Sequence, residues 1–388
     1  MIKRVNPMLT IESKLPSIGV TIFTTMSKLA MDSKAINLSQ GFPEFDASPD
    51  LIALIEKNMR QHRNQYAPMQ GVLELRQKIA EKTVELYQAK INPESEITIT
   101  SGATEALFAA ITATVRQGDE VILFEPAYDS YEPALRLSGG IPVYIRLKYP
   151  DYHIDWDEVK AAISDKTRLI VLNSPHNPTG AILKADDMKA LTEIVKDSGA
   201  FIVSDEVYEH IFFDNNRHES ILRYPELAER SFVISSFGKT YHATGWKIGY
   251  CIAPEPLMLE FQRIHQYLTF AVHTPTQFAY AEYLEQKNAY LDLPAFYEKK
   301  RDIFLEAIKG SRFKPLACEG TYFQMLDYSD ISKEGDLEFA RWLTVEKGVA
   351  SIPPSVFYHN RDDYRVLRFC FAKNDDTLLK AGKILKEI

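Results

Sequence analysis

The sequence has little cysteine, and its apolar residues do not gather into long runs. The three cysteines, Cys251, Cys318 and Cys370, lie far apart without CxxC or histidine spacing. They predict neither a disulfide framework nor a zinc site, and they favour a reducing, cytoplasmic location. No stretch approaches the roughly 18 apolar residues of a membrane helix. The first twenty residues also lack the apolar core of a signal peptide, so we expect neither membrane insertion nor secretion.

Positive charge is scarce as well, and several well-known signatures are missing. The formal net charge is −8 and no long basic run occurs, so a nucleic-acid-binding surface is not expected. The motifs G-x-G-x-x-G, Walker A, G-x-S-x-G and H-E-x-x-H are absent, and no metal site is predicted. The segment "SFGK" (236–239) matches the S-x-x-K motif of serine hydrolases. That class also requires S-D-N and K-T-G, which the chain lacks.

What the sequence does contain is an alternation of strand-like and helix-like segments. Apolar runs flanked by Gly, Pro and acidic residues are typical of strands that are covered on both faces. Helical patterns at 103–118 and 184–199 are each expected to end at their last glycine. The alternation predicts an α/β fold with a doubly wound, largely parallel sheet. The strand-like runs are 96–102, 120–126, 141–147, 168–175, 201–208, 232–239 and 248–254.

The character of the chain changes near residue 291, which predicts a second, smaller domain. We expect residues 46–290 to form a large domain, and residues 1–45 to join 291–388 in a small α+β domain. The elements that predict the small domain are a long amphipathic helix (296–310), strands within 320–329 and 364–373, and a closing helix (376–388).

Polar side chains follow three successive strands of the predicted sheet. Asn177 follows the first, Asp205 and Tyr208 the second, and Lys239 the third. Ligands bind at the carboxyl ends of strands in open α/β sheets, so these four groups predict a polar site at that edge. Taken singly, each has an ordinary alternative as a turn residue, a helix cap, a half-buried ring or a solvated cation. Their joint position favours a functional site.

The segment "TSGATEALFAAI" (100–111) adds a candidate anion site. A strand, Ser-Gly and then a helix leave the backbone N–H groups of Ala103 and Thr104 free at the positive end of the helix. Such an end suits phosphate. Taken alone, the segment is more often an ordinary strand-to-helix turn in which Gly102 serves only the backbone.

Three segments stand out, in this order: "NSPHNPTG" (173–180), "SDEVY" (204–208) and "SSFGKTYHATGWKIGY" (235–250). Together they resemble the class I/II aminotransferases of pyridoxal 5′-phosphate (PLP) fold type I. The resemblance extends from residue 36 to residue 373, and within the family the chain is most similar to the kynurenine/glutamine–phenylpyruvate branch, which includes bacterial methionine aminotransferases. It implies a three-layer αβα fold with a mostly parallel seven-stranded sheet plus a smaller α+β domain. The branch rests on "INLSQGFPEF" (36–45), "NQYAPMQG" (64–71), "FEPAYDSYEP" (124–133) and "LRFCFAK" (367–373).

The resemblance implies a role for each matching position. Lys239 would hold PLP as a Schiff base and act as nucleophile and then as base. Asp205 would pair with the pyridinium nitrogen, so that the ring accepts electrons from the substrate Cα. Arg368 would bind the substrate carboxylate in bidentate fashion. The other implied contacts are Asn177 and Tyr208 on the ring hydroxyl, Tyr128 stacked on the ring, Ser236, Lys247, Ala103 and Thr104 on the phosphate, Tyr66 on the phosphate of the neighbouring subunit, and Gly41, Asn177 and Phe23 at the substrate.

Some of these positions have other interpretations in the absence of the resemblance. Arg368 would then be an exposed arginine on an edge strand, Tyr66 a surface tyrosine and Gly41 a plain turn residue. Phe23, Tyr128 and Phe270 are candidates to line an apolar pocket for the substrate side chain, although core packing is the commoner place for any single aromatic residue.

The implied activity is transfer of the amino group of an L-amino acid to a 2-oxo acid by a homodimer. The donor is expected to be of the methionine, aromatic, glutamine or kynurenine type, and the sequence does not set which. A PLP-dependent β-lyase acting on cysteine S-conjugates or cystathionine is the alternative, because the same carbanion can expel a leaving group. A non-catalytic effector-sensing domain is disfavoured, because no helix-turn-helix pattern or basic arm accompanies the fold.

Overall fold

The computed structural model describes residues 11–388, and its strands and helices are numbered along the chain. The strands are β1 (Ile36–Asn37), β2 (Ile97–Thr100), β3 (Glu120–Glu125), β4 (Ile141–Arg146), β5 (Thr167–Asn173), β6 (Phe201–Asp205), β7 (Ser231–Ser236), β8 (Gly249–Ile252), β9 (Lys314–Pro315), β10 (Phe323–Asp327), β11 (Val349–Ala350) and β12 (Val366–Cys370). The helices are α1 (Ile22–Asp32), α2 (Pro49–Arg60), α3 (Leu73–Tyr87), α4 (Gly102–Thr114), α5 (Tyr131–Leu137), α6 (Trp156–Ala162), α7 (Ala185–Val195), α8 (Pro225–Ala228), α9 (Phe237–Thr240), α10 (Glu255–Leu268), α11 (Thr274–Tyr283), α12 (Asn288–Leu291), α13 (Leu293–Ile308), α14 (Asp336–Glu346) and α15 (Asp375–Lys386).

The largest sheet has seven strands in the order β2-β8-β7-β6-β5-β3-β4. Strand β8 runs antiparallel to both of its neighbours, and the other neighbouring pairs are parallel. Each strand overlaps the apolar run that predicted it. The expected mostly parallel, seven-stranded sheet is therefore confirmed.

Alternate side chains of the central strands enter two separate apolar layers. In β5, Leu169 and Val171 pack in a cluster with residues of α4 and α10, whereas Ile170 and Leu172 belong to the cluster that contains residues of α3, α7 and α11. A strand buried on both faces requires this alternation, because successive side chains point to opposite sides of the sheet. Helices thus cover both faces, and the arrangement is the three-layer αβα fold.

The smaller sheet is antiparallel and has the strand order β12-β10-β9. The N-terminal segment packs with the same part of the chain, since β1 pairs in parallel with β11 and α1 contacts α14. Residues 1–10, which the sequence assigns to the small domain, lie outside the described residues. The domain boundaries at 46 and 291 stay a prediction.

Two expected helix ends are wrong. Helix α4 ends at Thr114 and α7 ends at Val195, both before the glycines at 118 and 199 that were expected to stop them. Val115 already has an extended backbone, with ψ of 135°, and this conformation ends α4. Gly118 has φ of +87° in the following turn, where its N–H donates to the Gly139 carbonyl. The glycine therefore serves the turn into β3 instead of the helix cap.

Two kinds of feature are absent from the described part of the chain. No helix within residues 11–388 is both long enough and apolar enough to span a bilayer. The same residues contain no group of three or more His, Cys, Asp or Glu side chains arranged to hold a metal ion.

Candidate active site

A cavity of about 310 Å³ lies at the carboxyl ends of β5, β6 and β7, next to the start of α4. This is the edge of an open α/β sheet at which ligands bind. Most of the site residues predicted from the sequence line it. They are Phe23, Gly41, Ala103, Thr104, Tyr128, Asn177, Asp205, Tyr208, Ser236, Lys239, Lys247 and Arg368.

Tyr66 and Phe270 are not among the residues that line this cavity. Tyr66 is 84% exposed and packs edge-on against Phe270, with 5.7 Å between ring centroids. Phe270 itself is 43% exposed. Within one chain, Phe270 therefore does not contribute to the pocket for which it was a candidate. The contact of Tyr66 with a neighbouring subunit stays a prediction.

Lys239 lies in the short helix α9, directly after β7, and its amine faces two oxygen acceptors. Its Nζ donates to the Gly41 carbonyl at 3.1 Å and to the Tyr322 hydroxyl at 3.0 Å. Burial lowers the pKa of the Lys239 amine from 10.5 to about 8, and the nearby Arg368 cation acts in the same direction. A lysine with this pKa has a substantial neutral fraction near pH 8, which nucleophilic and base chemistry require.

Asp205 is the last residue of β6 and is only 3% exposed. Burial raises the pKa of its carboxyl to about 6, and the hydrogen bond from Tyr131 opposes that rise. The Tyr131 hydroxyl donates to Oδ2 at 2.6 Å, and the Val207 N–H donates to Oδ1 at 3.3 Å. These bonds fix a carboxylate at the base of the cavity, where a protonated ring nitrogen would be its natural partner.

The start of α4 and the Lys247 side chain form a cradle for an anion. Gly102 has φ of +72°, and a Cβ there would lie 3.2 Å from the Lys247 Nζ, so the glycine permits close approach of the ammonium. That ammonium lies 3.5 Å from the Thr104 hydroxyl. A helix N-terminus and an ammonium both carry positive charge, and an anion between them would stabilise both. A phosphate group fits this cradle.

Arg368 is 1% exposed, although it lies on β12, an edge strand of the three-stranded sheet. The interpretation of an exposed arginine is thus wrong, because a backbone bridge with Ile352 occupies the free edge of the strand and the guanidinium packs against the ring of Phe323. Its Nη1 donates to Asn177 Oδ1 at 2.6 Å, and its Nη2 donates to the Ser39 carbonyl at 3.0 Å. Its Nε has no partner among the described residues.

Phenyl rings surround the Arg368 guanidinium. Its Cζ lies 3.9 Å from the centroid of Phe323, 5.2 Å from that of Phe23 and 5.9 Å from that of Phe357. Burial lowers the pKa of Arg368. A buried guanidinium whose neighbours are mostly rings and neutral oxygens is costly without an anionic partner. A substrate carboxylate would supply that partner.

Gly41 shapes the site in two ways, because it has no side chain and because its carbonyl oxygen accepts hydrogen bonds. A Cβ at this position would lie 2.7 Å from Cζ of Phe323, so packing against that ring requires glycine. Its carbonyl oxygen accepts from Lys239 and also from the Tyr322 hydroxyl, the latter at 2.7 Å. Gly41 is therefore more than the plain turn residue that was its alternative.

Several residues at the site were missed from the sequence. Tyr131 is one turn beyond Tyr128 at the start of α5, and this spacing is a signal that could have found it. Asn173 and Ser39 lie within the quoted segments 173–180 and 36–45, so their nearness to Asn177 and Gly41 was a further signal. No comparable signal marks the remaining residues. They are Tyr322, Phe323 and Phe357.

Comparisons with known proteins agree with this arrangement. The family model "Aminotransferase class I and II" matches residues 33–382. Methionine aminotransferase of Escherichia coli is 51% identical over 384 residues, which cover 99% of each chain. Kynurenine–oxoglutarate transaminase of Dictyostelium discoideum is 36% identical, with 94% of this chain and 93% of the relative covered.

Solved structures of aminotransferases are also similar to this chain. The crystal structure of the Escherichia coli protein for which a methionine aminotransferase function was identified superposes with a TM-score of 0.96 at 51% identity, covering 98% of this chain and 100% of that one. N-succinyldiaminopimelate aminotransferase from Mycobacterium tuberculosis superposes with a TM-score of 0.93 at 35% identity, covering 97% and 100%.

Proposed function

The chain belongs to the class I and II aminotransferase family, and on that premise we propose that its amino donor is methionine or a similar apolar L-amino acid. It is a PLP-dependent aminotransferase. The main structural support for this function is that four groups line one cavity. They are the Lys239 amine, the buried Asp205 carboxylate, the anion cradle at the start of α4 and the buried Arg368 guanidinium. The 51% identity to a methionine aminotransferase over nearly the whole chain supports the donor.

We assign the cofactor contacts to residues that fit them chemically. Bound PLP supplies an electrophilic carbon and a ring that accepts electrons. Asp205 would hold a proton on the ring nitrogen, and the cradle at Ala103, Thr104 and Lys247 would hold the phosphate. The other proposed contacts are Ser236 on the phosphate, Tyr128 on the ring face, and Asn177 with Tyr208 on the ring hydroxyl.

The substrate would be oriented by its carboxylate and side chain. Arg368 would bind the carboxylate with its planar fork, for which the unpartnered Nε offers a further donor. Phe23 and Phe323, which pack around Arg368, would exclude water and contact an apolar side chain. Lys239 would then accept the proton from the substrate Cα, since its lowered pKa leaves a neutral amine available.

We propose that the active unit is a homodimer, in which Tyr66 contacts the phosphate bound by the neighbouring subunit. Its 84% exposure and its contact with Phe270 support an interface at this surface. We also propose a large domain of residues 46–290 and a small domain of 1–45 with 291–388. The free, buried cysteines support a cytoplasmic location.

The decisive experiment combines covalent trapping with a donor panel. Borohydride reduction of the purified protein should fix the cofactor on Lys239, as located by peptide mapping, and Lys247→Met should retain that label while binding the cofactor more weakly. Methionine, phenylalanine, kynurenine and glutamine are then compared against one 2-oxo acid, and methionine should give the largest kcat/KM with a product of equal carbon skeleton. A label on Lys247 would contradict the assignment. Release of pyruvate and ammonia from cysteine S-conjugates as the main activity would favour the β-lyase.

A further inference from the structure

The Tyr322 hydroxyl lies between the Lys239 amine and the Gly41 carbonyl. It donates to the Gly41 oxygen at 2.7 Å and accepts from Lys239 Nζ at 3.0 Å. Nζ also donates directly to the same carbonyl at 3.1 Å. The three groups therefore form a closed triangle of hydrogen bonds, which joins α9 to the loop before β10 and to the segment after β1.

Packing leaves the Tyr322 ring no freedom to leave this position. The side chain is fully buried, and its ring meets Tyr208 edge-on at 5.2 Å, Phe323 at 4.9 Å and Tyr297 at 5.6 Å between centroids. Burial also raises the pKa of the Tyr322 phenol well above 10. The hydroxyl thus keeps its single proton, which points at the Gly41 carbonyl, and presents only a lone pair to Lys239.

We propose that Tyr322 is a positioning residue that, with the Gly41 carbonyl, holds the Lys239 amine whenever this amine is not joined to the cofactor. The inference rests on the proposed function, in which Lys239 is released from the cofactor and works as a base. A long lysine side chain has many rotamers, and its rotamer entropy opposes a return to one place. Two fixed acceptors restrict the amine to a single position in the cavity, which favours its use as a base.

The triangle also affects the charge on the amine. A hydroxyl lone pair and a carbonyl oxygen both stabilise the ammonium form, and they partly offset the burial that disfavours it. Arg368 and Lys247 lower the pKa of Lys239, whereas Asp205 and Cys370 raise it. Removing only the Tyr322 hydroxyl leaves these four groups in place. The pKa of the free Lys239 amine should then fall further.

The test compares Tyr322→Phe with Tyr297→Phe. Tyr297 is also fully buried and packs on Tyr322, but its hydroxyl has no hydrogen-bond partner among the described residues. The holoenzyme of each variant is converted to the amine form of the cofactor with excess amino donor, which frees Lys239. Acetic anhydride is then added across a pH series, and acetylation of Lys239 is measured by peptide mass spectrometry. Steady-state kinetics are measured with the same preparations.

We expect Tyr322→Phe to lower the labelling pKa of Lys239 by about one pH unit, a tenfold change in the ratio of amine to ammonium. Its kcat should fall by about tenfold or more with little change in KM, because phenylalanine keeps the ring that packs against Phe323. Tyr297→Phe should match the wild type in both measurements. An unchanged labelling profile in Tyr322→Phe, or equal effects of the two variants, would overturn the proposal and leave Tyr322 a packing residue.

Failure of the proposed function itself would look different. In that case the wild type would show neither transamination nor a borohydride label on Lys239. If only the role of Tyr322 is wrong, both wild-type results stand, and Tyr322→Phe differs from Tyr297→Phe in neither labelling pKa nor kcat.

Discussion

Replacing Asp205 with asparagine should stabilise the cofactor-free protein at neutral pH while removing most of its transamination. Burial raises the pKa of this carboxyl from 3.8 to about 6, so above that pH the folded protein contains a charge that its surroundings disfavour. Asparagine has nearly the same shape and no charge. It can still accept from the Val207 N–H and bond the Tyr131 hydroxyl, the two groups that contact the aspartate.

The magnitude follows from the change in pKa. A change from 3.8 to about 6 corresponds to about 3 kcal/mol at 1.36 kcal/mol per pH unit. That figure already includes the hydrogen bonds to the charged carboxylate. The rearranged hydrogen bond between the amide and the Tyr131 hydroxyl offsets about 1–2 kcal/mol, which leaves a net gain of about 1–2 kcal/mol. The unfolded carboxyl loses its proton at lower pH than the folded one. The free-energy cost of the charge therefore grows between about pH 4 and pH 6 and is complete above that range.

The assay is urea unfolding of the cofactor-free wild type and Asp205→Asn at pH 5 and pH 8, at one protein concentration. The free energy of unfolding of the variant should exceed that of the wild type at pH 8, and by less at pH 5. Asp32→Asn, at an exposed residue of α1, serves as the control and should change stability by less than about 0.5 kcal/mol at either pH. Transamination by Asp205→Asn should fall by on the order of 10²-fold or more. Equal stability at pH 8, or an equal gain at both pH values, would refute the reasoning.

Three further changes test separate parts of the site. Tyr131→Phe removes the hydrogen bond that lowers the pKa of Asp205. The pH below which kcat declines should therefore rise. An unchanged pH profile of kcat would contradict this link between Tyr131 and Asp205. Tyr66→Ala and Lys239→Ala should each be nearly inactive. Mixing the two variants under conditions that exchange subunits should restore activity, because one site of a mixed dimer carries neither change. Full activity of Tyr66→Ala alone would contradict an active site shared between two subunits. Arg368→Lys keeps the charge but loses the planar guanidinium, so KM for the amino acid should rise by about 10–100-fold. Circular dichroism checks that the variant is folded. An unchanged KM would exclude the contact between Arg368 and the substrate carboxylate.

The position of the site followed from local sequence patterns. Asn177, Asp205 and Lys239 each come shortly after an apolar run, and the seven-stranded sheet brings these runs side by side with their carboxyl ends at one edge. Strand direction and order are strongly restricted in doubly wound folds. A residue at the end of a buried strand could therefore be placed without knowledge of its tertiary contacts.

The helix ends were harder to predict than the strands. A glycine after a helical pattern is a common stop signal, but Gly118 takes its left-handed conformation in the next turn, where it pairs with Gly139. That pairing joins residues from two separate strand connections. No local pattern contains this information.

The sequence by itself determined the strand-helix alternation, the polar residues at the strand ends and the membership of a PLP-dependent family, because these features depend on neighbouring residues along the chain. Only the tertiary structure decided that Arg368 on an edge strand is buried among phenyl rings, and that Tyr322 and Gly41 hold the Lys239 amine. Burial, and with it the pKa of Lys239 and Asp205, is set by groups that lie far apart in sequence. Desolvation depends on how completely such groups enclose a charge, and a linear pattern does not specify that enclosure.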